Sequence, residues 1–347
     1  MKALQVIGPG VTEYVDVPIP VPDDDQVLMK IIRNGVCGTD LELVDGSSFF
    51  IQNGSTHYPI RIGHEYSAII VDKGKDVKGW NIGDQVVADG SIYCGTCPEC
   101  LSGNRDSCHN LRAVGTLRAW PGSYAEYMTL PAENLFLVPP GISHDNAALM
   151  EPAAIGMAGL DKLNIVPGKS IVLVTGVGAI GLSCVALSKW LGAKQVIVSG
   201  RTPYKLDIAK KLGADVIINP REQDFVKTVK DITNGHGADC IIECSGSVDA
   251  LDDNFKVLTP RGVMTIIAFF GRNYEHFDLD TFVLSDADIR ASCLHDFLNV
   301  IKAMQEGVDL SPLITRHITF DEAKDFLEQQ VKVKSNDIKV MVDVAEP

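Results

Sequence analysis

Four cysteines fall within fifteen residues of this chain, Cys94, Cys97, Cys100 and Cys108, in the pattern C-x2-C-x2-C-x7-C. The whole chain of 347 residues holds only nine. Sulfurs two residues apart can turn toward one point where the backbone bends, and Gly95, Pro98 and Gly103 supply the bends. Four thiolates around Zn²⁺ make a closed tetrahedral site, which is structural because no position is left for a substrate. The alternatives are a disulfide cluster, which a reducing compartment disfavours, and four reactive thiols left free on a loop. A zinc ribbon that grips nucleic acid uses similar spacing, but only Arg105 and Arg112 accompany this loop.

A second set of residues is scattered. Cys37 lies in GVCGTDLELVDG (35–46), His64 in RIGHEYS (61–67), and Glu151 in ALMEPAAIG (148–156). Thiol, imidazole and carboxylate are zinc ligands, yet each alone is more often structural. A third set is contiguous. GVGAIG (176–181) directly follows the apolar run SIVLVTG (170–176) and opens a helical stretch over 179–192. In that setting Gly176 makes a tight turn, Gly178 admits a pyrophosphate and Gly181 lets helix pack on strand. Ala179 and Ile180 begin the helix, whose free N–H groups face the phosphates.

These residues need elements to hold them. The first 150 residues contain short strand-like runs with many Gly and Pro, and VPIPVPDDD (17–25) marks a turn. From about 168 strands alternate with helices. LGAKQVIVSG, LGADVIIN and HGADCIIECSG each show a glycine ending a helix before an apolar strand. That alternation predicts a doubly wound parallel sheet. FDEAKDFLEQQ (320–330) reads as an amphipathic helix and IKVMVDV (338–344) as a strand. At this length two domains are expected. The formal charge of −14 repels phosphate backbones and anionic membranes, so neither nucleic acid nor membrane is expected as a partner. The start lacks the long apolar core of a signal peptide, and no apolar run reaches the length of a span. A cytoplasmic protein is the expectation.

CGTD at 37–40, GHE at 63–65, the four-cysteine lobe, EP at 151–152 and GVGAIG at 176–181 occur in one order along nearly the whole chain. Together they resemble the zinc-dependent medium-chain dehydrogenases, the alcohol and polyol dehydrogenases. The resemblance implies a GroES-like β-barrel catalytic domain over 1–150, a Rossmann coenzyme domain over 151–290, and a return to the catalytic domain over 291–347, with the reaction in the cleft. It implies two zinc ions per chain. One is structural, on the four cysteines. The other is catalytic, on Cys37, His64 and an acid, with Glu65 and Glu151 both candidates. Asp40 would stand behind the histidine and fix its tautomer, or else simply cap a turn. Thr39 corresponds to the hydroxyl that bonds the substrate oxygen and relays its proton. Many relatives carry a histidine shortly after this segment. Here Glu42 is the polar group, either a relay, a substrate contact or a solvated charge.

The second strand of the coenzyme domain is where an NAD-binding fold places an acid for the ribose hydroxyls. Gly200 stands there instead, flanked by Ser199, Arg201, Thr202 and Lys205. Loss of the carboxylate with gain of a guanidinium favours NADP, with NAD the alternative. Ser245 and Ala268, at later strand ends, are nicotinamide candidates, as are Phe269 and Phe270, unless those two are core aromatics. By family position Ser47, Phe49, His57, Tyr58 and His295 line the substrate pocket. The implied activity is reversible oxidation of a secondary alcohol, a polyol, sugar or cyclitol, by a homodimer or homotetramer. An amino-alcohol dehydrogenase of threonine or aminocyclitol type is the alternative, and a non-enzymatic nucleotide-binding protein a third. Cys184, Cys240, Cys244 and Cys293 read as small buried residues. His144, His236, His276 and His317 have no motif around them.

Overall fold

A computed structural model describes the residues from Met1 to Pro347 apart from Arg272, Glu275, His276, Phe277 and Lys334, so His276 lies outside the described residues. The chain divides into two compact units, Met1–Glu151 with Ile314–Pro347, and Pro152–Leu313. The return to the first unit therefore begins at Ile314 and not at 291. The intervening segment stays with the second unit because its strand Asp288–Ala291 is paired in that unit's sheet and its helix Phe297–Gln305 packs on the helix Ala179–Trp190.

The first unit begins with β1 (Lys2–Gly8), β2 (Val11–Asp16), β3 (Gln26–Gly35), β4 (Glu65–Lys73), β5 (Gln85–Ala88), β6 (Ser91–Ile92), β7 (Arg112–Ala113), β8 (Tyr127–Pro131) and β9 (Leu135–Leu137). It is completed by β16 (Ile314–Thr319) and β17 (Lys339–Asp343). Its main sheet runs β16-β17-β3-β4-β5-β9, with β8 also on β3. Only the β16–β17 pair is parallel. β3 (QVLMKIIRNG) is the hub, since β4, β8 and β17 all bond to it and most of its side chains are buried. Val27, Met29 and Ile31 pack with Tyr66, Ile70 and Met128. A second cluster joins Leu4, Leu43, Ile62, Tyr124 and Leu327. Each such buried side chain stabilises by about 1.5–3 kcal/mol. β6 and β7 form a small ribbon that brackets the four-cysteine lobe.

The second unit holds β10 (Ile171–Thr175), β11 (Gln195–Ser199), β12 (Val216–Ile218), β13 (Ala238–Glu243), β14 (Leu258–Ile266) and β15 (Asp288–Ala291). The order is β12-β11-β10-β13-β14-β15, all parallel. β10 is buried along its whole length, as a strand covered on both faces must be. The strand order reverses between β10 and β13, and ligands bind in the crevice outside such a switch point. The helices stop where the sequence places glycines, with Gly192 at φ 82° and Gly213 at φ 103°.

Candidate functional site

The first site grows from the end of β3. The chain leaves β3 at Gly35, and Cys37 caps the helix Gly38–Asp45. β4 starts at Glu65, which the antiparallel register sets opposite Gly35. Pairing thus carries His64 and Glu65 to Cys37. Gly63 turns with φ 95°, and a Cβ there would lie 2.5 Å from the Tyr124 ring, so only glycine serves the GHE turn. Ligand atoms of Cys37, His64 and Glu65 all lie within 4.8 Å of one another.

Asp40 is fully buried on the first turn of that helix. The Cys37 N–H donates to its Oδ2 at 3.0 Å and the Gly63 N–H to its Oδ1 at 3.2 Å. Oδ1 is also 3.7 Å from His64 Nδ1, too long for a hydrogen bond, and that Nδ1 has no partner among the described residues. Asp40 therefore both caps the helix and faces the histidine. Thr39, next to it, is half-buried and its hydroxyl bonds no group among the described residues. Glu42 is exposed one turn further on.

One residue that sequence reading missed completes the site. Lys339 opens β17 and is almost wholly buried. Its Nζ donates to Glu65 Oε2 and, at 3.0 Å, to the Val36 carbonyl. The Val36 N–H in turn donates to the Val340 carbonyl at 2.9 Å. A lysine inside an apolar strand was the available signal. Burial alone would lower the lysine's pKa, but Glu65 and Cys37 hold it up. Burial and then the Glu65 charge push the Cys37 thiol up. Burial would depress His64, yet the Cys37 thiolate, Asp40 and Glu151 drive its pKa well above the ordinary value. Glu151, at the start of the helix Met150–Asp161, bears on this charge but is not among the three clustered ligands. A half-buried thiol and imidazole crowded against a buried carboxylate fit a divalent cation, which would compensate their charge.

The four cysteines also converge. Cys94 and Cys100 Sγ are 4.0 Å apart, and Cys97 and Cys108 Sγ 3.9 Å. Ligands about 2.3 Å from a tetrahedral centre sit about 3.8 Å apart, so the lobe has the dimensions of a zinc site. Backbone N–H groups of Thr96 and Cys97 pull the Cys94 thiol down to about 5, while desolvation and the neighbouring sulfurs push Cys100 up to about 12. Binding of a cation would favour the thiolate form of all four and offset their charge. No cysteine of the chain forms a disulfide. Cys184 and Cys240 are buried as expected, whereas Cys244 is partly exposed and Cys293 exposed.

The second site is a cavity of about 510 Å³ at the ends of the parallel strands. Gly176, Val177 and Gly178 line its floor, Ser199, Gly200, Arg201, Thr202 and Lys205 one wall, and Cys244, Ser245 and Ser247 another. Ala179, Ile180 and Gly181 form the helix turn behind and do not line it. A Cβ at Gly200 would lie 2.5 Å from both Val177 methyls, so the place of the usual acid is closed by packing. Arg221, beyond β12, lines the same cavity and adds a cation that sequence reading passed over. Its signal was position, just after a strand end in the same sheet. Ala268 sits against Gly246, while Phe269 is 79% exposed and Phe270 packs into the core. Of the proposed pocket residues, Tyr58 commits its hydroxyl to the Leu43 carbonyl at 2.7 Å, and His295 stacks on Phe297. Ser47, Phe49 and His57 are exposed.

Comparison with known proteins identifies the family of both units. The alcohol dehydrogenase GroES-like domain family matches residues 23–140, and the zinc-binding dehydrogenase family residues 179–310. L-threonine 3-dehydrogenase of Pyrococcus horikoshii is 33% identical over 352 aligned residues, covering 99% of each chain. Sorbitol dehydrogenase of Bacillus subtilis is 31% identical, over 99% of this chain and 97% of that one. A zinc-binding dehydrogenase of Sinorhizobium meliloti, bound to NADP, superposes with a TM-score of 0.89 at 27% identity over 99% of both chains. With the GroES-like unit, the Rossmann sheet and two clusters that could each hold a metal ion in place, the chain belongs to the zinc-dependent medium-chain dehydrogenases, enzymes that use zinc and NAD(P) to oxidise alcohols.

Proposed function

We propose that this enzyme oxidises a secondary alcohol of a polyol, sugar or cyclitol to the ketone, reversibly, with NADP as the preferred coenzyme. The observation that carries the reading is the half-buried Cys37–His64–Glu65 cluster beside the uncommitted Thr39 hydroxyl. Zinc held by Cys37, His64 and Glu65, with Glu151 in reserve, would supply Lewis acidity that lowers the pKa of an alcohol. Thr39 accepts the substrate hydroxyl's proton and donates its own onward, as a hydroxyl can do both. Glu42, exposed one turn away, passes that proton to solvent. Asp40 fixes the helix that carries Thr39 and faces the imidazole of His64. Lys339 holds Glu65 in place. With Glu65 and Glu151 as candidate ligands, where simple alcohol dehydrogenases often have a thiol, a metal held here would have a harder donor set, suited to a hydroxyl-rich substrate.

NADP preference rests on Arg201, Lys205 and Arg221 around a strand end that has no carboxylate. Ser245, Ala268 and the Gly176–Gly181 turn complete the coenzyme-binding set. A second reading, oxidation of an amino alcohol, is favoured by the L-threonine 3-dehydrogenase relatives. We further infer a homodimer or homotetramer, supported by the open edge of β15 and the exposed Leu279, Val283 and Leu284 beside it. Cytoplasmic residence is supported by the nine unpaired cysteines. Among the described residues no helix is long and apolar enough to cross a membrane. The test is a panel of sugar alcohols, cyclitols and amino alcohols with both coenzymes. Turnover of a polyol with NADP is expected, and turnover confined to amino alcohols would move the assignment to the second reading.

A further inference from the structure

The end of β13 carries a buried carboxylate that this chemistry does not use. Glu243 is completely buried, and no cation is paired with it among the described residues. Such burial is unfavourable unless donors converge on the group, and four do. The Ser245 N–H and hydroxyl donate to Oε1, each at 2.6 Å, and the Gly246 N–H at 2.9 Å. The Asn254 amide donates to Oε2 at 3.0 Å. The same Asn254 amide nitrogen donates to Thr175 Oγ1 at 2.9 Å, at the end of β10, and its Oδ1 is left buried without a partner. An orphaned carbonyl is costly, so the amide takes its orientation from the two acceptors it serves.

What the carboxylate fastens is the floor of the phosphate turn. Gly176 has φ 105°, and a Cβ there would lie 2.9 Å from the Cys244 carbonyl carbon and the Ser245 nitrogen. The Cys244 N–H donates to the Thr175 carbonyl at 2.8 Å. Gly246, at φ 63°, is pressed in turn against the Phe269 carbonyl, 2.6 Å from where its Cβ would be. The glycine turn and the Cys244–Gly246 turn are therefore stacked backbone on backbone. A shift in one displaces the other.

We propose that Glu243 is a positioning residue for coenzyme binding: it clamps the Cys244–Gly246 turn so that the Gly176–Gly178 turn holds its phosphate-binding shape before the dinucleotide arrives. The proposal rests on the reading that this cavity takes NAD(P). A carboxylate is needed because all four partners are donors, and an amide in its place would turn an N–H₂ toward one of them.

The test is titration of the zinc-loaded enzyme with NADPH, followed by nucleotide fluorescence. Glu243→Gln should weaken NADPH at least tenfold. Asn254→Ala, which lies outside the cavity lining, should weaken it several-fold, and the double variant should lose little more than Glu243→Gln alone. Ile241→Val, a buried change on the same strand, supplies a destabilised control that should bind NADPH normally. Unchanged affinity in Glu243→Gln, additive losses, or equal weakening in the Ile241 control would overturn the clamp. Should Glu243→Gln fail to accumulate, Asn254→Ala carries the test, and wild-type affinity in it overturns the proposal. A wild-type enzyme that binds neither NADPH nor NADH would sink the coenzyme reading itself instead.

Discussion

Lys339 and Glu65 form an ion pair at 4% and 2% exposure. Removing one partner of a buried pair leaves an uncompensated charge and costs about 3–5 kcal/mol. Lys339→Met should therefore destabilise metal-free protein by about that much in urea unfolding. With zinc loaded the loss should shrink, because the ion then neutralises Glu65. Equal losses in the two forms would show that Glu65 does not face the metal. A second residue-scale prediction concerns Asp161, whose pKa burial and the neighbouring Asp296 carboxyl raise to about 6 from an ordinary 3.8. The folded state binds that proton more tightly than the unfolded chain does. Its stabilisation is full below about pH 3.8 and lost as pH rises through about 6. Asp161→Asn should raise the melting temperature above pH 6 and lose that advantage near pH 4. A constant offset across the range would refute the assignment.

At the scale of elements, backbone packing decides which substitutions are possible. Arg201→Asp should move preference from NADP toward NAD, measured as the ratio of kcat/KM values, by at least tenfold. Gly200→Asp should not achieve this, although it restores the acid where NAD enzymes have it. Its Cβ meets Val177 at 2.5 Å, so the first residues of the glycine turn must move and both coenzymes should bind poorly. Normal NAD binding by Gly200→Asp would show that the turn yields more readily than its contacts indicate. The elements themselves were largely legible. The run before GVGAIG, the glycine stops at Gly192 and Gly213 and the final strand stand where their patterns put them, whereas the helix before Gly237 already ends at Ile232 and Gly237 instead leads into the next strand. The limit of the second unit was not, because pairing of β15 into the parallel sheet is a long-range choice that its four residues do not announce.

For the whole molecule the expected metal content is two zinc ions per chain by elemental analysis. Cys100→Ser should lower it to one and cost stability. Cys37→Ser should also lower it to one but abolish turnover with the fold intact. One ion in the wild type would contradict the two-cluster reading. Light scattering should give a dimer or tetramer, and Leu284→Glu, at a side chain 86% exposed on the helix Leu279–Ser285, should shift it toward monomer. A monomeric wild type would leave that apolar helix without explanation.

By itself the sequence determined the chemistry available. Local spacing is enough to declare a four-sulfur lobe, and a glycine turn after a strand declares a nucleotide floor, because in both the groups that act together are near neighbours along the chain. Cys37, His64 and Asp40 lie in short motifs scattered along the chain, and only the family resemblance of those motifs joined them. Only the tertiary structure decided which groups share charge. Lys339 reaches Glu65 across 274 residues, and Arg221 joins Arg201 from a different strand end. Glu243 binds donors on a turn and on the next helix at once. Those meetings depend on strand register and sheet order, which are properties of many residues packing together, and no single stretch of the chain encodes them.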